Sequence, residues 1–177
     1  MDGNRFFLYK HTTAANRQPD KYEIKEFHNS VRNPFFRNVC RKNKTREYND
    51  FYTELRWVVA SHRRLRIFYM EDEKRIIHSS FCTPKSFKFP FMNKNDYHIG
   101  PCFTDPLYRG KGLYPIVLSK IVKELKKSPE CGNIYMIIEE NNIASQEGVK
   151  KAGFQKTAVL YRKGRLKKYY VKEWLQA

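Results

Sequence analysis

One stretch constrains the fold of this chain more than any other. Residues 97–125 combine a strand pattern, a basic loop with two glycines and a helix pattern. Asp105-Pro106 marks the end of the strand, and Arg109-Gly-Lys-Gly112 supplies positive charge and a flexible backbone. Apolar residues then recur at helical spacing, at Leu113, Val117, Leu118, Ile121, Val122 and Leu125. Glycines that turn N–H groups toward one point, a helix start and two cations together predict a phosphate-binding loop.

Two common phosphate-binding motifs do not fit this loop. A P-loop requires Ser or Thr where Leu113 follows Gly112, and the dinucleotide-binding fingerprint requires a third glycine where Pro115 stands. The loop instead resembles the pyrophosphate loop of the GNAT superfamily of acyl-CoA-dependent N-acetyltransferases, written Arg/Gln-x-x-Gly-x-Gly/Ala. Residues 109–113 fit this pattern, whereas the sixth position is Tyr114. This bulky side chain is expected to point away from the cofactor.

A second stretch resembles the same family. Residues 134–140 have a strand pattern, and Asn142, Ser145 and Gly153-Phe154 follow in the order of the family's second motif. The resemblance is to the bacterial type and covers residues 65–172. It implies an α/β (α+β) fold with a mixed, mostly antiparallel central sheet of about six or seven strands flanked by helices. The fourth and fifth strands, at residues 97–104 and 134–140, are expected to splay apart.

The resemblance also implies acetyl-CoA as the cosubstrate, with no metal. The pantetheine arm is expected beside the fourth strand, the pyrophosphate at the loop, and a further contact after the fifth strand. The expected cofactor contacts are Cys102, Phe103, Thr104, Arg109, Gly110, Lys111, Gly112, Leu113, Tyr114, Asn142 and Ser145.

Catalytic residues are predicted from the same comparison. His98 stands where the family often has a carboxylate that acts as general base, and an imidazole that titrates near neutral pH suits this role. Asp96, which acts through a water molecule, is the alternative base, and a purely structural His98 stays open. Val149 replaces the tyrosine that the family often uses as general acid. Tyr135, Tyr161, water or no acid at all remain as replacements.

The charge of the chain favours anionic partners. Its 35 Lys and Arg residues against 18 Asp and Glu residues give a formal net charge of +17. Basic residues in the segment Arg41–Arg46 suggest nucleic-acid binding, but positive charge is also spread along the rest of the chain, which favours a solvated surface. The predicted acceptor is an anionic or neutral small-molecule amine, with an amino sugar or nucleotide-linked amino sugar favoured. Protein or aminoacyl transfer, and non-catalytic binding of acyl-CoA or nucleic acid, are the alternatives.

The length of the chain and its local sequence patterns limit the number of domains and the expected location of the protein. The 177 residues suit one domain. The resemblance implies that residues 1–64 form its variable, helical region on the acceptor side. The four cysteines show no metal-binding spacing, so they are expected to be reduced thiols. No secretory signal or run of about eighteen apolar residues is found, which predicts a cytoplasmic protein without membrane insertion. The oligomeric state is left open, with a homodimer as one alternative.

Other elements are predicted from local patterns. Residues 5–11 form a strand candidate, residues 22–31 are loosely helical, and residues 50–62 form a helix candidate. Two hairpins are expected, at residues 66–81 and 157–174. Phe87, Phe89 and Phe91 would share one face if their run is extended, as core or as a wall of the acceptor pocket. Pro101 interrupts the fourth strand, where Gly100 provides either a close approach for substrate or a bulge.

Overall fold

The computed structural model describes residues 5–13, 22–29, 65–164 and 166–175. These residues form one eight-stranded sheet, two α-helices and a short 3-10 helix at Pro106–Tyr108. The strands are β1 Arg5–His11, β2 Lys25–Asn29, β3 Leu65–Asp72, β4 Arg75–Pro84, β5 Tyr97–Thr104, β6 Ile134–Glu139, β7 Phe154–Lys163 and β8 Lys168–Trp174, and the helices are α1 Leu113–Leu125 and α2 Ile143–Lys151.

The sheet confirms the predicted fold class. Its strands lie in the order β2-β3-β4-β5-β6-β1-β7-β8. Every neighbouring pair is antiparallel except β5 and β6, which are parallel and are connected through α1. The expected count of about six or seven strands was too low, because the described residues form eight.

The strand β2 corrects the sequence-based prediction of a helical segment from Tyr22. Lys25 to Asn29 instead pair with β3 in antiparallel register, from Lys25↔Tyr69 to Asn29↔Leu65. Five residues are too few for a stable isolated helix, whereas the edge of β3 offers them backbone hydrogen bonds. The helix predicted near residues 50–62 and the basic segment Arg41–Arg46 lie outside the described residues.

Apolar side chains cover both faces of the sheet. On one face, α1 buries the whole predicted apolar stripe, and Val149 of α2 and Ala152, which ends that helix, join the same cluster. Neighbouring residues of a strand point to opposite faces, so the second cluster lies on the other side of the sheet. It consists of Phe6, Leu8, Phe89, Met92, Tyr135, Ala158 and Leu160.

The segment between β4 and β5 is built of turns, so the three phenylalanines do not share one face. Phe89 is buried in the second cluster, whereas Phe87 is 48% exposed and Phe91 packs against the cluster from outside. The run is not extended, so the condition for a shared face is not met, and Phe89 alone of the three is buried in the core. The two predicted hairpins are confirmed as β3 with β4 and β7 with β8.

The length and apolar character of the described helices can be compared with those of a membrane-spanning helix. Neither α1 nor α2, nor any other helix in the part of the chain that the structure describes, is long and apolar enough to cross a bilayer.

Candidate active site

The strands β5 and β6 separate after a short contact. They pair only through Tyr97↔Ile134 and His98↔Tyr135. Directly after this contact, β5 contains a bulge in which Gly100 and Pro101 stand opposite the single residue Phe81 of β4. A bulge bends a strand away from its neighbour, which explains the divergence. The predicted splaying and the bulge at Gly100 are both present.

The loop that follows β5 makes several contacts of its own. Asp105 caps the 3-10 helix by accepting a hydrogen bond from the Leu107 N–H at 3.0 Å, and it also forms a 2.6 Å ion pair with Arg75. Arg109 Nε donates to the Thr104 carbonyl oxygen at 3.1 Å. Lys111 Nζ lies 4.3 Å from the ring centroid of Tyr108. Both cations of the predicted loop therefore have a contact within the protein.

The loop leads into α1 through a left-handed glycine. Gly112 has φ +75° and is the N-cap of α1, and no side chain caps the helix there. The N–H groups of the first turn thus lack the partner that a capping side chain would provide. Their partial positive charge adds to that of the exposed Arg109 and Lys111. This arrangement suits a phosphate group.

One cavity of about 750 Å³ lies between this loop, β5 and α2. Its volume is within the range of small-molecule sites. All the cofactor contacts expected from the sequence line it: Cys102, Phe103, Thr104, Arg109, Gly110, Lys111, Gly112, Leu113, Tyr114, Asn142 and Ser145. The structure therefore brings these residues together, while their roles as contacts stay a prediction.

Sequence reasoning missed several residues of the cavity wall, namely Tyr108, Pro115, Ala144, Glu147, Gly148 and Lys151. The spacing of α2 could have pointed to Gly148, because positions 144, 145 and 148 share one helix face with spacings of three and four. Lys150 is paired with Glu147 at 2.7 Å, and Lys151 adds a further cation to the wall. The lining contains Arg109, Lys111, Lys151 and one carboxylate, so it carries a positive excess.

Asn142 has a structural role besides lining the cavity. Its side-chain oxygen accepts a hydrogen bond from the Ser145 N–H at 3.1 Å and caps α2. This explains why an asparagine followed three positions later by a small residue suits the start of this helix. The cap fixes the first turn of α2 beside the loop that opens α1.

The side chain of Tyr114 lines the cavity, whereas the sequence analysis expected it to point away from the cofactor. Its hydroxyl donates a weak hydrogen bond to Met136 Sδ on β6 at 4.0 Å, and Cys102 on β5 and Ser145 on α2 are its polar neighbours. The ring packs against Gly148 of α2, where no side chain stands in its way. Tyr114 thus reaches inward, between the two diverging strands.

A chain of buried polar side chains continues from this point along β4 and β5. Cys102 is a neighbour of Ser80, whose hydroxyl lies 2.9 Å from His78 Nε2. His78 Nδ1 lies 2.8 Å from the Thr104 hydroxyl. Burial lowers the pKa of His78 to about 3 and raises that of the Cys102 thiol to about 11. Both groups are therefore neutral at physiological pH.

His98 lies on the opposite side of the sheet from α1. It is 5% exposed, and its ring centroid is 4.4 Å from that of Phe89. Loss of solvation, with a smaller effect of the charge on Lys88, lowers the pKa of His98 to about 3. The titration near neutral pH that the sequence suggested is therefore not found in this structure. The role of His98 as general base stays a prediction.

Asp96 joins two loops. It precedes β5 and is buried, and its Oδ2 accepts from the Asn93 N–H at 2.7 Å while Oδ1 accepts from the Asn133 N–H at 2.8 Å. Asp96 lies outside the strand that carries His98, because β5 begins at Tyr97. Two backbone donors already use its oxygens, which favours a structural role.

The replacements considered for the general acid lie away from the cavity. Tyr135 belongs to the second apolar cluster and packs edge-on against Phe91 at 5.8 Å. Tyr161 is 39% exposed on β7 and stacks on Tyr170 at 5.7 Å. Val149 is buried in the core under α1. Neither tyrosine lines the cavity.

The described residues contain no cluster of side chains that suits a metal site. No group of three or more His, Cys, Asp or Glu side chains among those residues could hold a metal ion. The described cysteines Cys82, Cys102 and Cys131 are free thiols.

The family model described as "Acetyltransferase (GNAT) family" matches residues 24–154. No curated protein matches the chain.

Solved structures share the fold at low sequence identity. A GNAT-family acetyltransferase from Colwellia psychrerythraea is 15% identical, with a TM-score of 0.58, over 86% of this chain and 53% of that one. A GCN5-related N-acetyltransferase from Sphaerobacter thermophilus is 11% identical, with a TM-score of 0.62, over 89% and 50%. A GCN5-related glucosamine N-acetyltransferase region of a fungal multi-domain β-N-acetylglucosaminidase is 13% identical, with a TM-score of 0.57, over 90% and 20%. The chain thus spans about half the length of the first two structures and a fifth of the third.

Proposed function

The chain belongs to the acetyltransferase (GNAT) family, and from this premise we propose that the protein transfers an acetyl group from acetyl-CoA to a primary amine by direct attack. The observation that carries the proposal is the cavity, in which a basic loop, an uncapped helix start and the diverging strand β5 meet. A dianionic pyrophosphate and a long polar arm are the ligand groups that this combination suits.

The charges of the loop and the course of β5 support one position for the cofactor. The pyrophosphate lies against residues 109–114, where Arg109, Lys111 and the first turn of α1 supply positive charge. The pantetheine arm runs beside Cys102 to Thr104, toward the gap between β5 and β6. When bound, acetyl-CoA supplies an acetyl group that is already activated as a thioester. The protein then has to orient the amine and stabilise the oxyanion that forms.

His98 is the proposed acceptor of the amine's proton. It lies at the last paired position before the strands separate, on the face opposite α1. A neutral imidazole has the free electron pair that a base needs, but with a pKa of about 3 it is a weak one. The amine is therefore proposed to arrive uncharged, with His98 helping only when the acceptor displaces Phe89 and lets solvent in. Asp96 is a less suitable base because both of its oxygens hold loop N–H groups.

The proposed acceptor is a small amine, neutral or anionic, with amino sugars and nucleotide-linked amino sugars tested first. The net charge of +17 supports an anionic or neutral acceptor over a polyamine. The glucosamine N-acetyltransferase region described above shares the fold only, because its identity to this chain is 13%. Residues 1–64 are proposed to complete the acceptor side of a single domain spanning residues 1–177, and β2 shows that this part is not entirely helical.

The decisive experiment measures acetyl-CoA consumption against a panel of amino sugars, nucleotide amino sugars, amino acids and peptides, with product masses determined. We expect a mass gain of one acetyl group on a single class of amine. The Gly112→Val variant serves as the control with a damaged loop. A protein that binds acetyl-CoA by calorimetry but acetylates none of these amines would argue for a non-catalytic binder. Acetylation of peptides alone would favour a protein acetyltransferase.

A further inference from the structure

The turn between β3 and β4 contacts both ends of the short 3-10 helix that precedes the basic loop. At the start of this helix, Arg75 forms a 2.6 Å ion pair with Asp105. At its end, the Tyr108 hydroxyl donates a hydrogen bond to Asp72 Oδ2 at 2.8 Å. Asp72 and Arg75 are cross-strand partners on either side of the turn. One end of a hairpin therefore holds the 3-10 helix against the sheet.

Tyr108 connects this hairpin to the cavity. It lines the cavity wall, and Lys111 Nζ lies 4.3 Å from the centroid of its ring. An ammonium group at this distance is attracted to the face of an aromatic ring. The hydrogen bond to Asp72 raises the pKa of Tyr108, so the hydroxyl stays protonated at neutral pH. The same bond polarises the phenol toward the carboxylate, which makes the ring richer in electrons and strengthens its attraction for the cation.

Lys111 gains from such a contact because of its place in the chain. Gly110 and Gly112 flank it, and neither has a side chain that could restrain it. A lysine side chain loses much rotamer freedom when it becomes ordered against a ligand. The contact with Tyr108 restricts Lys111 in the free protein, so less freedom remains to be lost when an anion binds.

From these contacts we propose that Tyr108 and Asp72 are positioning residues for the pyrophosphate of coenzyme A. Tyr108 holds the Lys111 ammonium beside the start of α1, and Asp72 holds Tyr108. The inference rests on the proposed acetyl transfer, in which residues 109–114 bind the pyrophosphate. Asp72 lies far outside that loop in the sequence and acts on the ligand only through two other side chains.

The ring and the phosphate can contact the ammonium group at the same time. An ammonium carries three N–H donors on a compact charge, so one side can face the ring of Tyr108 while another faces a phosphate oxygen. If Lys111 instead had to leave the ring to reach the phosphate, the ring contact would stabilise the free protein and oppose binding. The two arrangements predict opposite signs when the ring is removed.

The first test is a double-mutant cycle, with the affinity for coenzyme A measured by calorimetry. Tyr108→Leu should weaken binding about 3- to 10-fold, the usual cost of immobilising one long side chain. In a Lys111→Met background the same substitution should change the affinity by less than about twofold, because the cation that the ring holds is absent. Tyr161→Leu, at an exposed position of β7 that does not line the cavity, is the matched control and should have no effect in either background.

A second cycle tests whether Asp72 acts through Tyr108. Asp72→Ala should weaken coenzyme A about 2- to 10-fold, the usual net value of one hydrogen bond. The effect should vanish in Tyr108→Phe, which keeps the ring but has no hydroxyl. Asp72→Asn retains an acceptor oxygen and should recover most of the affinity. Tyr22→Phe is the control, because the Tyr22 hydroxyl donates to the same Asp72 oxygen at 3.3 Å and its loss should leave the affinity unchanged.

Dephospho-coenzyme A identifies the phosphate that Lys111 meets. This ligand keeps the pyrophosphate and lacks the 3′-phosphate. The coupling between Tyr108 and Lys111 should be the same with this ligand as with coenzyme A. A coupling that disappears would assign Lys111 to the 3′-phosphate and overturn the assignment to the pyrophosphate. Circular dichroism verifies that each variant is folded.

The outcomes separate the two proposals. If the wild type binds neither coenzyme A nor dephospho-coenzyme A, the proposed function is wrong. If it binds both and Tyr108→Leu has the same effect with and without Lys111, or tightens binding, the inference is overturned while the function stands. An effect of Asp72→Ala that persists in Tyr108→Phe would overturn the role of Asp72.

Discussion

The ring of Tyr114 fills the space in which a side chain of Gly148 would lie. An ideal Cβ on Gly148 would come within 2.5 Å of Tyr114 Cδ1 and 2.9 Å of Cε1. Contacts this short do not occur between real atoms, so α2 and the start of α1 approach closely only because position 148 is glycine. The orientation of Tyr114 in the cavity therefore depends on a residue of another helix.

Gly148→Ala should destabilise the protein by about 1–3 kcal/mol, because the methyl group forces the ring or the helix to move. The sign should reverse in a Tyr114→Ala background, where the space is empty and alanine gains about 0.5–1 kcal/mol over glycine in a helix. Urea unfolding of the four proteins in this cycle measures both effects. Equal effects of Gly148→Ala in both backgrounds would show that the ring is not the obstacle.

Gly112→Val should abolish tight binding of coenzyme A through the backbone rather than through a clash. A Cβ at Gly112 would meet nothing within 4 Å, but the φ of +75° is strained for valine. The loop should shift to relieve the strain, so that the N–H groups of α1 no longer point at the pyrophosphate. We expect calorimetry to show a loss of affinity of about tenfold or more, equivalent to about 1.4 kcal/mol.

The matched control for that loop variant is Gly164→Val. Gly164 has a φ of +80° and equally open surroundings, but it lies in the turn between β7 and β8. Both variants should lose similar stability, since the backbone penalty is the same. Only Gly112→Val should lose affinity, and equal losses in the two would point to a general effect of destabilisation.

Two histidines that are buried in the described part of the chain, His78 and His98, should make the protein sensitive to acid. Burial lowers the pKa of His78 and of His98 to about 3, below the ordinary value of 6.5, so the unfolded chain binds more protons than the folded one in this interval. Stability is therefore full above about pH 6.5 and is lost as pH falls toward 3. Each histidine should contribute a slope of about 1.4 kcal/mol per pH unit to the free energy of unfolding.

Substitution of one histidine should remove its share of this dependence. His98→Phe keeps an aromatic ring against Phe89 and should flatten the stability curve between pH 6 and 4, measured by urea unfolding. His28→Gln, at an exposed position of β2, is the control. A His98→Phe curve parallel to that of the wild type would mean that His98 titrates normally in the folded protein, and would restore it as a base near neutral pH.

Asp96→Ala should unfold or strongly destabilise the protein, because two buried N–H groups lose their acceptor. Hydrogen bonds to a charged group contribute about 1.5–3 kcal/mol each, so the loss should be several kcal/mol. Asp96→Asn keeps one acceptor oxygen and should lose less. Thermal unfolding ranks the variants, and kcat is measured on the folded fraction. A fall of about 100-fold in kcat without a fall in stability would contradict the structural role.

Local signals predicted much of the fold. The bounds of β5 agree with the expected residues 97–104 because Asp105-Pro106 ends the strand within the sequence itself. The apolar stripe of α1 and both hairpins likewise follow from spacing and turn residues close together in the chain.

Features that depend on distant residues were missed. The strand β2 forms because Leu65 to Tyr69 offer an edge some forty positions later, and no local pattern contains that information. The role of Asp96 depends on the N–H of Asn133, and the direction of Tyr114 on Gly148 and Cys102. In each case, the pairing, role or orientation of the residue depends on a neighbour that is distant in the sequence, and local patterns do not identify that neighbour.

The contact of two residue pairs between β5 and β6 divides the sheet into two leaves. One leaf contains β2 to β5 in order, and the other contains β6, β1, β7 and β8. A ligand arm that carries amide groups can lie in the opening as a strand would and join the leaves along their length. Cofactor binding would then complete the hydrogen bonding of the sheet between β5 and β6. The stiffness of the sheet across this opening would therefore depend on whether the ligand is bound.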